Sequence, residues 1–205
     1  LLEDPLDLSR VEYTPSGDPA KERSDLLRSL AEARRELDDV IEEVGENFGP
    51  EFASVFNTHV QILEDHGFVT RLEREVAESG DACEAIRSAV DHYRKLFSRI
   101  EDPYFRERGD DVEDVGRRVM AKLLGVRHRN VPLAPGSVVV TSMILPAHFT
   151  MLEMDKVAAI VAEHGGSTSH GAIFARTLEI PSVTGVEGAN GRTIISAGLT
   201  LALLI

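Results

Sequence analysis

The sequence predicts a two-domain α+β chain, with an all-helical bundle inserted into an α/β domain. Residues 18–125 have helical apolar spacing almost throughout. After Gly125, short β-branched runs alternate with short helical segments, which is typical of an α/β unit. Residues 1–8, which precede the helical region in the sequence, fit the end of a strand. We therefore predict an α/β domain at 1–14 and 126–205, and a helical domain at 15–125.

Caps and breaks divide the helical part into segments. Asp18 before Pro19 predicts a helix start, because an N-cap acid followed by proline at the first helical position is a common beginning. Shorter helices are predicted at 51–64, 68–78 and 81–100, and a long one at 103–124. In the first helix one apolar stripe is predicted to be buried. Its members are Leu26, Leu27, Leu30, Ala33, Leu37, Val40, Ile41 and Val44.

The part after Gly125 predicts a compact α/β unit. Strands are expected at 137–141 and 157–161, and short helices at 146–153 and 169–178. Residues 193–196 and 199–205, separated by Ala197-Gly198, predict a hairpin at the C-terminal end.

Charge and composition narrow the class of protein. Of the 205 residues 35 are acidic and 22 basic, and 26 of the acidic against 16 of the basic ones fall within 15–125. Such a surface repels nucleic acid and attracts a basic partner, although solubility or a saline habitat would favour the same acidity. The single cysteine, Cys83, excludes an internal disulfide and suits a reducing cytoplasm. The longest apolar run is far shorter than a membrane span. Because the sequence does not begin with methionine, we expect a fragment of a longer protein.

The segment from Gly165 to His170 is the strongest functional signal. Paired glycines, Gly165 and Gly166, allow a tight turn, and Thr168 and Ser169 offer N-cap oxygens to the helix that follows. His170 falls in the first turn, where a helix N-terminus favours negative charge. Neutral imidazole is a nucleophile near neutral pH, so we predict that His170 accepts a phosphoryl group. Arg176, nearly two turns on, is predicted to pair with a carboxylate or with that group.

The other six histidines have weaker surroundings. His59, His66 and His92 are predicted to be partly exposed helix residues, since none has the spacing of a metal site. His128 is predicted to be solvated. His148 and His164 are predicted to have structural roles.

A resemblance extends this interpretation. Residues 165–185 resemble the phosphohistidine segment of the phosphoenolpyruvate-utilising enzymes, a family that includes Enzyme I of the sugar phosphotransferase system. The segments 47–49, 56–65 and 104–118 look like Enzyme I in particular, and nothing resembles the ATP-grasp domain of other members. The resemblance implies a swivelling α/β domain in which His170 is phosphorylated on Nε2. Gly165, Gly166, Thr168, Ser169 and Arg176 would support it.

The resemblance also implies partners and cofactors. The helical domain would bind the phosphocarrier protein HPr, which is basic around its own active histidine. Phosphoenolpyruvate and Mg²⁺ would bind a C-terminal domain, which also dimerises, so this fragment is expected to be cytoplasmic, monomeric and without a metal of its own. The implied HPr-binding residues are Glu51, Ser54, Val55, Thr58, Gln61, Ile62, Asp65 and His66.

Some positions depart from the family pattern and keep alternatives open. Gly171 replaces a residue with a side chain, Phe149 replaces a threonine that orients the active histidine, and Pro50 replaces an acid beside the docking helix. A nitrogen-related or regulatory paralogue of Enzyme I is one alternative. A docking module without catalysis is the other.

Overall fold

The computed structural model describes residues 12–101, 103–126, 133–144, 148–166 and 169–188. They fall into two compact units. The helical unit contains 12–101, 103–126 and 148–152, and the sheet unit contains 133–144, 153–166 and 169–188. The predicted combination of a helical bundle and a small sheet is confirmed. The predicted domain bounds stay a prediction, because 1–11, 127–132 and 189–205 lie outside the described residues.

Within the described residues, five long helices build the helical unit. They are α1 (Pro19–Phe48), α2 (Pro50–Glu64), α3 (His66–Ser79), α4 (Ala82–Ser98) and α5 (Pro103–Leu123), and the short α6 (His148–Met151) belongs to the same unit. The longest helix, α1, contacts each of α2 to α5, and α4 packs against both α3 and α5. Neighbours in sequence are joined by only a few residues, as in a bundle of packed helices. The predicted helices therefore all form, with ends within a few residues of those predicted.

One face of α1 forms the centre of this unit. Six members of the predicted stripe are buried, and the other two, Leu27 and Ile41, are half-buried. Burial of one such aliphatic side chain stabilises the fold by roughly 1.5–3 kcal/mol. The stripe therefore holds α1 against its neighbours. The buried six are Leu26, Leu30, Ala33, Leu37, Val40 and Val44.

Side-chain caps fix where the helices begin. The Asp18 carboxylate accepts a hydrogen bond from Ala20 N at 2.9 Å, so the predicted start of α1 is confirmed. Asp65 accepts from Phe68 N and starts α3, and Asp81 accepts from Glu84 N and starts α4. Each cap satisfies an N–H group that the helix leaves unpaired. These caps therefore define where α1, α3 and α4 begin after the short segments that precede them.

Glu22 is a buried acid that ties three segments together. Its carboxylate accepts hydrogen bonds from Tyr13 Oη at 2.5 Å, from Ser16 N at 2.7 Å and from Ala82 N at 3.0 Å. The side chain lies on α1, while its donors come from the segment before α1 and from the start of α4. Burial alone would raise the pKa of Glu22, but these hydrogen bonds outweigh it and lower the pKa to about 2.

Replacing Glu22 by glutamine should destabilise the helical unit, by up to roughly 3 kcal/mol at pH 7. Because the folded pKa is lowered, the carboxylate stabilises the fold fully above about pH 4.5 and loses that contribution as the pH falls towards 2. Urea unfolding of the wild type and of Glu22→Gln should therefore give curves that converge in acid. Glu42→Gln, an exposed change on the same helix, should leave the stability within about 0.5 kcal/mol. If the wild type and Glu22→Gln differed in unfolding free energy by the same amount at pH 7 and at pH 3, this role of Glu22 would be contradicted.

In its described residues the sheet unit is a small parallel sheet with one α-helix and a short 3-10 turn at Met154–Lys156. Strands β1 (Ser137–Met143), β2 (Val157–His164) and β3 (Ser182–Val183) lie in the order β1-β2-β3, and α7 (His170–Thr177) connects β2 to β3. In the register Val140 lies opposite Val161, and both are buried. The predicted strands at 137–141 and 157–161 are confirmed. β3 was not predicted, and the predicted hairpin at 193–205 and strand tail at 1–8 lie outside the described residues.

Candidate phosphohistidine site and docking groove

The turn from β2 to α7 carries the segment that the sequence singled out. β2 ends at His164, and Gly165 follows with φ 116°, a conformation that a side chain disfavours. Ser169 N donates to the Gly166 carbonyl at 3.2 Å, which closes the turn. The Ser169 hydroxyl then caps α7 by accepting from Ala172 N at 3.4 Å. His170 is the first residue of this helix and so lies in its first turn, as predicted; its side chain and Thr168 lie outside the described residues.

Gly171 lies unusually close to the end of β1. A Cβ atom at this position would be 2.0 Å from the Ile144 carbonyl oxygen and 2.6 Å from Ile144 Cγ2. A side chain would thus require a movement of backbone, either of α7 or of the segment after β1. The absence of a side chain, noted in the sequence as a departure from the family pattern, therefore has a local reason. It allows the first turn of α7 to lie directly against Ile144.

The rest of α7 divides into a buried and an exposed face. Ala172, Phe174 and Ala175 are buried, whereas Ile173 and Arg176 are exposed. The helix ends in a left-handed turn at Glu179, with φ 55°, and Ile180 N donates back to the Ala175 carbonyl at 2.8 Å. Arg176 lies in the last turn, at the opposite end of the helix from His170. Helix α7 is thus fixed by its apolar face, which holds its N-terminus in place within the sheet unit.

Helix α6 contains the residue that departs from the family's threonine. Phe149 and its neighbour His148 are both buried, and the Thr150 side chain lies outside the described residues. The burial of His148 agrees with the structural role that the sequence gave it. The Phe149 side chain has no hydroxyl, so it cannot supply the hydrogen bond that the resemblance implied.

A groove on the helical unit brings together half of the predicted docking residues. It has a volume of about 260 Å³ and lies among α2, α3, α4 and α5. Thr58, Gln61 and Ile62 line it from α2, together with Asp65, which caps α3. Glu51, Ser54, Val55 and His66, the other predicted docking residues, do not line it. We call this surface the docking groove.

The other side of the docking groove comes from residues that sequence reasoning missed. The sequence indicates two of them, because Tyr93 and Phe97 are aromatic residues one turn apart on a mostly polar helix. The remaining contributors lie on α3 and α5, whose proximity to α2 depends on the packing of the whole unit. The missed residues are Phe68, Tyr93, Phe97, Arg108 and Val112.

The docking groove combines an apolar floor with a few polar groups. Ile62, Phe97 and Val112 supply the floor, while Asp65 and Arg108 bring opposite charges. Burial raises the pKa of Tyr93, and the Asp65 carboxylate raises it further, so the hydroxyl stays protonated near neutral pH and can donate a hydrogen bond. An apolar centre with a polar rim is the composition of a protein-binding surface.

Of the histidine side chains that the structure describes, one differs from prediction; His128 lies outside the described residues. His66, His92 and His164 are exposed, but His59 is completely buried, so the predicted partial exposure of His59 is wrong. It lies between two carboxylates of α5: its Nδ1 is 3.2 Å from Asp114 Oδ2, and its Nε2 is 3.5 Å from Asp111 Oδ1. These acids are themselves buried, and the cluster joins α2 to α5. Each ring nitrogen therefore faces a carboxylate within ion-pair distance, although neither contact has hydrogen-bond geometry.

Neither a metal-binding cluster nor a membrane-spanning helix is found among the described residues. Within them, no three or more histidine, cysteine, aspartate or glutamate residues come together in a way that could hold a metal ion. In the same part of the chain, no helix is both long enough and apolar enough to cross a bilayer.

Two family models match most of the sequence. The model described as PEP-utilising enzyme, N-terminal, matches residues 2–108, and the model described as PEP-utilising enzyme, mobile domain, matches residues 133–201. Here PEP is phosphoenolpyruvate. The junction between the matched regions includes the linker between the two units.

Curated relatives and solved structures agree with these matches. The phosphoenolpyruvate-protein phosphotransferases of Streptococcus equinus and Listeria monocytogenes are each 33% identical to this chain, over 85% and 91% of its length. The chain spans 31% and 32% of those relatives. A solution structure of Enzyme I (nEIt) aligns with a TM-score of 0.65 at 26% identity, covering 89% of this chain and 74% of that one. The N-terminal domain of Enzyme 1 - Nitrogen aligns with a TM-score of 0.62 at 25% identity, covering 90% and 75%.

Proposed function

Because the chain belongs to the family of PEP-utilising enzymes, we propose that it is the phosphohistidine-carrying and partner-docking part of a phosphoenolpyruvate-protein phosphotransferase. The observation that carries the proposal is the start of α7, where a glycine turn and the Ser169 cap place His170 at the first helical position. His170 takes up the phosphoryl group, and the helical unit docks the protein that exchanges it. The partner is the phosphocarrier HPr.

The chemistry is the transfer of a phosphoryl group between two imidazoles. In the direction that this chain can be tested, the neutral Nε2 of His170 attacks the phosphorus of phospho-HPr, opposite the P–N bond. That bond breaks as the new one forms, the electron pair of the broken bond stays on the HPr imidazole, and the phosphoryl group ends on His170. With a proton on the other nitrogen of each ring, the HPr imidazole leaves neutral and no proton has to be transferred, so positioning and charge stabilisation carry the catalysis.

The start of α7 supplies part of that stabilisation. The free N–H groups of a helix N-terminus and its partial positive charge favour an anionic group by about 0.3–1 kcal/mol, and by up to about 2 kcal/mol where the group is partly buried. Ser169 occupies one N–H as the cap and leaves others in the first turn for the phosphoryl oxygens. Arg176 is exposed in the last turn, so we assign it to a carboxylate or a partner group in preference to the phosphoryl group itself.

The docking groove is the proposed binding site of HPr. Charge supports this occupant, because residues 15–125 carry ten more acidic than basic side chains and the partner is basic around its active histidine. The apolar floor would contribute most of the contact energy, as in the centre of protein interfaces generally. Of the residues carried over by resemblance, we assign Thr58, Gln61, Ile62 and Asp65 to the centre of this interface. Glu51, Ser54, Val55 and His66 are assigned to its rim.

Phosphoenolpyruvate itself is proposed to react elsewhere in the full-length protein. The chain spans about a third of its curated relatives, and we assign the phosphoenolpyruvate site, its Mg²⁺ and the dimer contact to the remaining length. We further propose that the full-length protein acts in the cytoplasm, as the first carrier of a sugar phosphotransferase system.

Incubation with phospho-HPr tests the proposal. We expect this chain to take up a phosphoryl group that is acid-labile and alkali-stable, with a ³¹P resonance typical of phosphohistidine, and to return it to HPr. With phosphoenolpyruvate and Mg²⁺ alone we expect no uptake. Binding of HPr without uptake would favour the non-catalytic docking module. Uptake that is faster from a dedicated HPr-like protein than from HPr would favour the nitrogen-related or regulatory paralogue.

A further inference from the structure

The buried His59 cluster touches the docking groove through one residue. Asp111 uses its two carboxylate oxygens on opposite sides: Oδ1 is 3.5 Å from His59 Nε2, and Oδ2 is 3.5 Å from Nη1 of Arg108. Asp111 is buried, whereas the Arg108 side chain is 27% exposed and lines the docking groove. A fully buried imidazole and a groove guanidinium thus share one carboxylate. His59 and Arg108 need not touch each other to be linked.

The second carboxylate fixes the other side of His59. Asp114 Oδ2 lies 3.2 Å from His59 Nδ1, and the ring packs edge-on against Phe56 with centroids 5.6 Å apart. A fully buried imidazole that is enclosed by two carboxylates and a neighbouring ring has little freedom to turn. Asp111 therefore has a fixed partner on its buried side. The cluster gives the groove residue above it a rigid support.

An arginine at a docking surface benefits from such a support. A free arginine side chain loses rotamer entropy when a partner immobilises it. An arginine that is already held by a buried carboxylate loses less, and preorganisation of this kind improves affinity. The shared carboxylate also partly neutralises Arg108, which lowers its repulsion of a basic partner.

We propose that Asp111 and His59 are positioning residues of the docking groove, which hold the Arg108 guanidinium in place to donate hydrogen bonds to an acceptor group on the docked phosphocarrier. This inference rests on the proposed function for the identity of the partner. The placement of Arg108 by Asp111 follows from the helical unit alone.

The chain offers a matched pair of variants for the test. Asp111→Asn and Asp114→Asn both replace a buried carboxylate of α5 that faces His59. Of the two acids, Asp111 is the one that lies within ion-pair distance of Arg108. We expect Asp111→Asn to weaken the binding of unphosphorylated HPr about fivefold in titration calorimetry, and Asp114→Asn less than about twofold. Thermal unfolding of both variants checks that each is folded at the measuring temperature.

Two further measurements decide the outcome. In an Arg108→Ala background the effect of Asp111→Asn should disappear, because the residue through which it acts is absent. Equal effects of the two asparagine variants, or an Asp111→Asn effect that persists without Arg108, would overturn the inference. Should Asp111→Asn fail to fold, Arg108→Lys replaces it: lysine lacks the planar fork and should weaken binding as much as alanine does, and full binding by Arg108→Lys would equally overturn it.

A readout that needs no partner separates this inference from the proposed function. The ¹⁵N order parameter of Arg108 Nε–H should fall clearly in Asp111→Asn, which removes the carboxylate that faces Arg108, and fall less in Asp114→Asn, which acts only through His59. If the wild type does not bind HPr but the order parameter behaves in this way, the proposed partner is wrong and the positioning role holds. If HPr binds and the order parameter does not respond to Asp111→Asn, the positioning role is wrong and the proposed function stands.

Discussion

Replacing His170 by alanine should abolish the uptake of phosphate from phospho-HPr, with a fall in the transfer rate of at least about 10³-fold. The reason is chemical: the side chain is the proposed acceptor, and alanine offers no nitrogen to bond to phosphorus. A positioning residue, in contrast, would leave a slower but measurable transfer. Transfer of ³²P from labelled phospho-HPr, followed by separation of the two proteins in alkaline conditions, measures the effect directly.

His164→Ala is the matched control for this experiment. His164 lies in the same unit, is exposed and ends β2 six residues before His170. Its replacement should leave both phosphate uptake and HPr binding unchanged. His170→Ala should also keep HPr binding within about twofold, because the docking groove belongs to the helical unit and contains neither histidine. Labelled phosphate that stays on the His170→Ala protein would contradict the assignment of the acceptor.

Helix bounds and caps could be predicted from the sequence because they depend on local chemistry. The Asp18–Pro19 pair and the three-four spacing that begins at Leu26 determine the start and the buried face of α1 without reference to the rest of the chain. The same holds for the β2–α7 turn, where paired glycines and a serine cap are adjacent in sequence. A function could be proposed for this site from the sequence because its parts are contiguous.

Only one side of the docking groove could be predicted from the sequence, because the packing of the helices brings its two sides together. Thr58, Ile62 and Asp65 were implied by the resemblance, but Phe97 and Arg108 approach them only when α4 and α5 pack against the others. The burial of His59 was missed for the same reason, since its two acids lie more than fifty residues away in sequence. Gly171 could not be explained either, because Ile144 is a neighbour in space alone.

Replacing Ile62 by lysine should weaken HPr binding about 30- to 100-fold. Two effects add: the floor of the docking groove loses an apolar contact, and a buried positive charge meets a basic partner. Ile62→Glu separates them, because it removes the same apolar contact but keeps an attractive charge, and it should cost less than lysine does. Titration calorimetry at two salt concentrations measures both variants, and the difference between them should shrink at high salt.

Asn57→Lys tests whether position matters beyond net charge. It places the same lysine on the same helix at an exposed residue outside the docking groove. If long-range attraction alone held the partner, Asn57→Lys and Ile62→Lys would weaken binding to the same degree. If the groove is the binding site, Asn57→Lys should cost no more than about threefold, through the loss of steering. Equal losses would place HPr elsewhere on the acidic surface, and a large loss confined to Ile62 would tie docking to the apolar floor between α2 and α4.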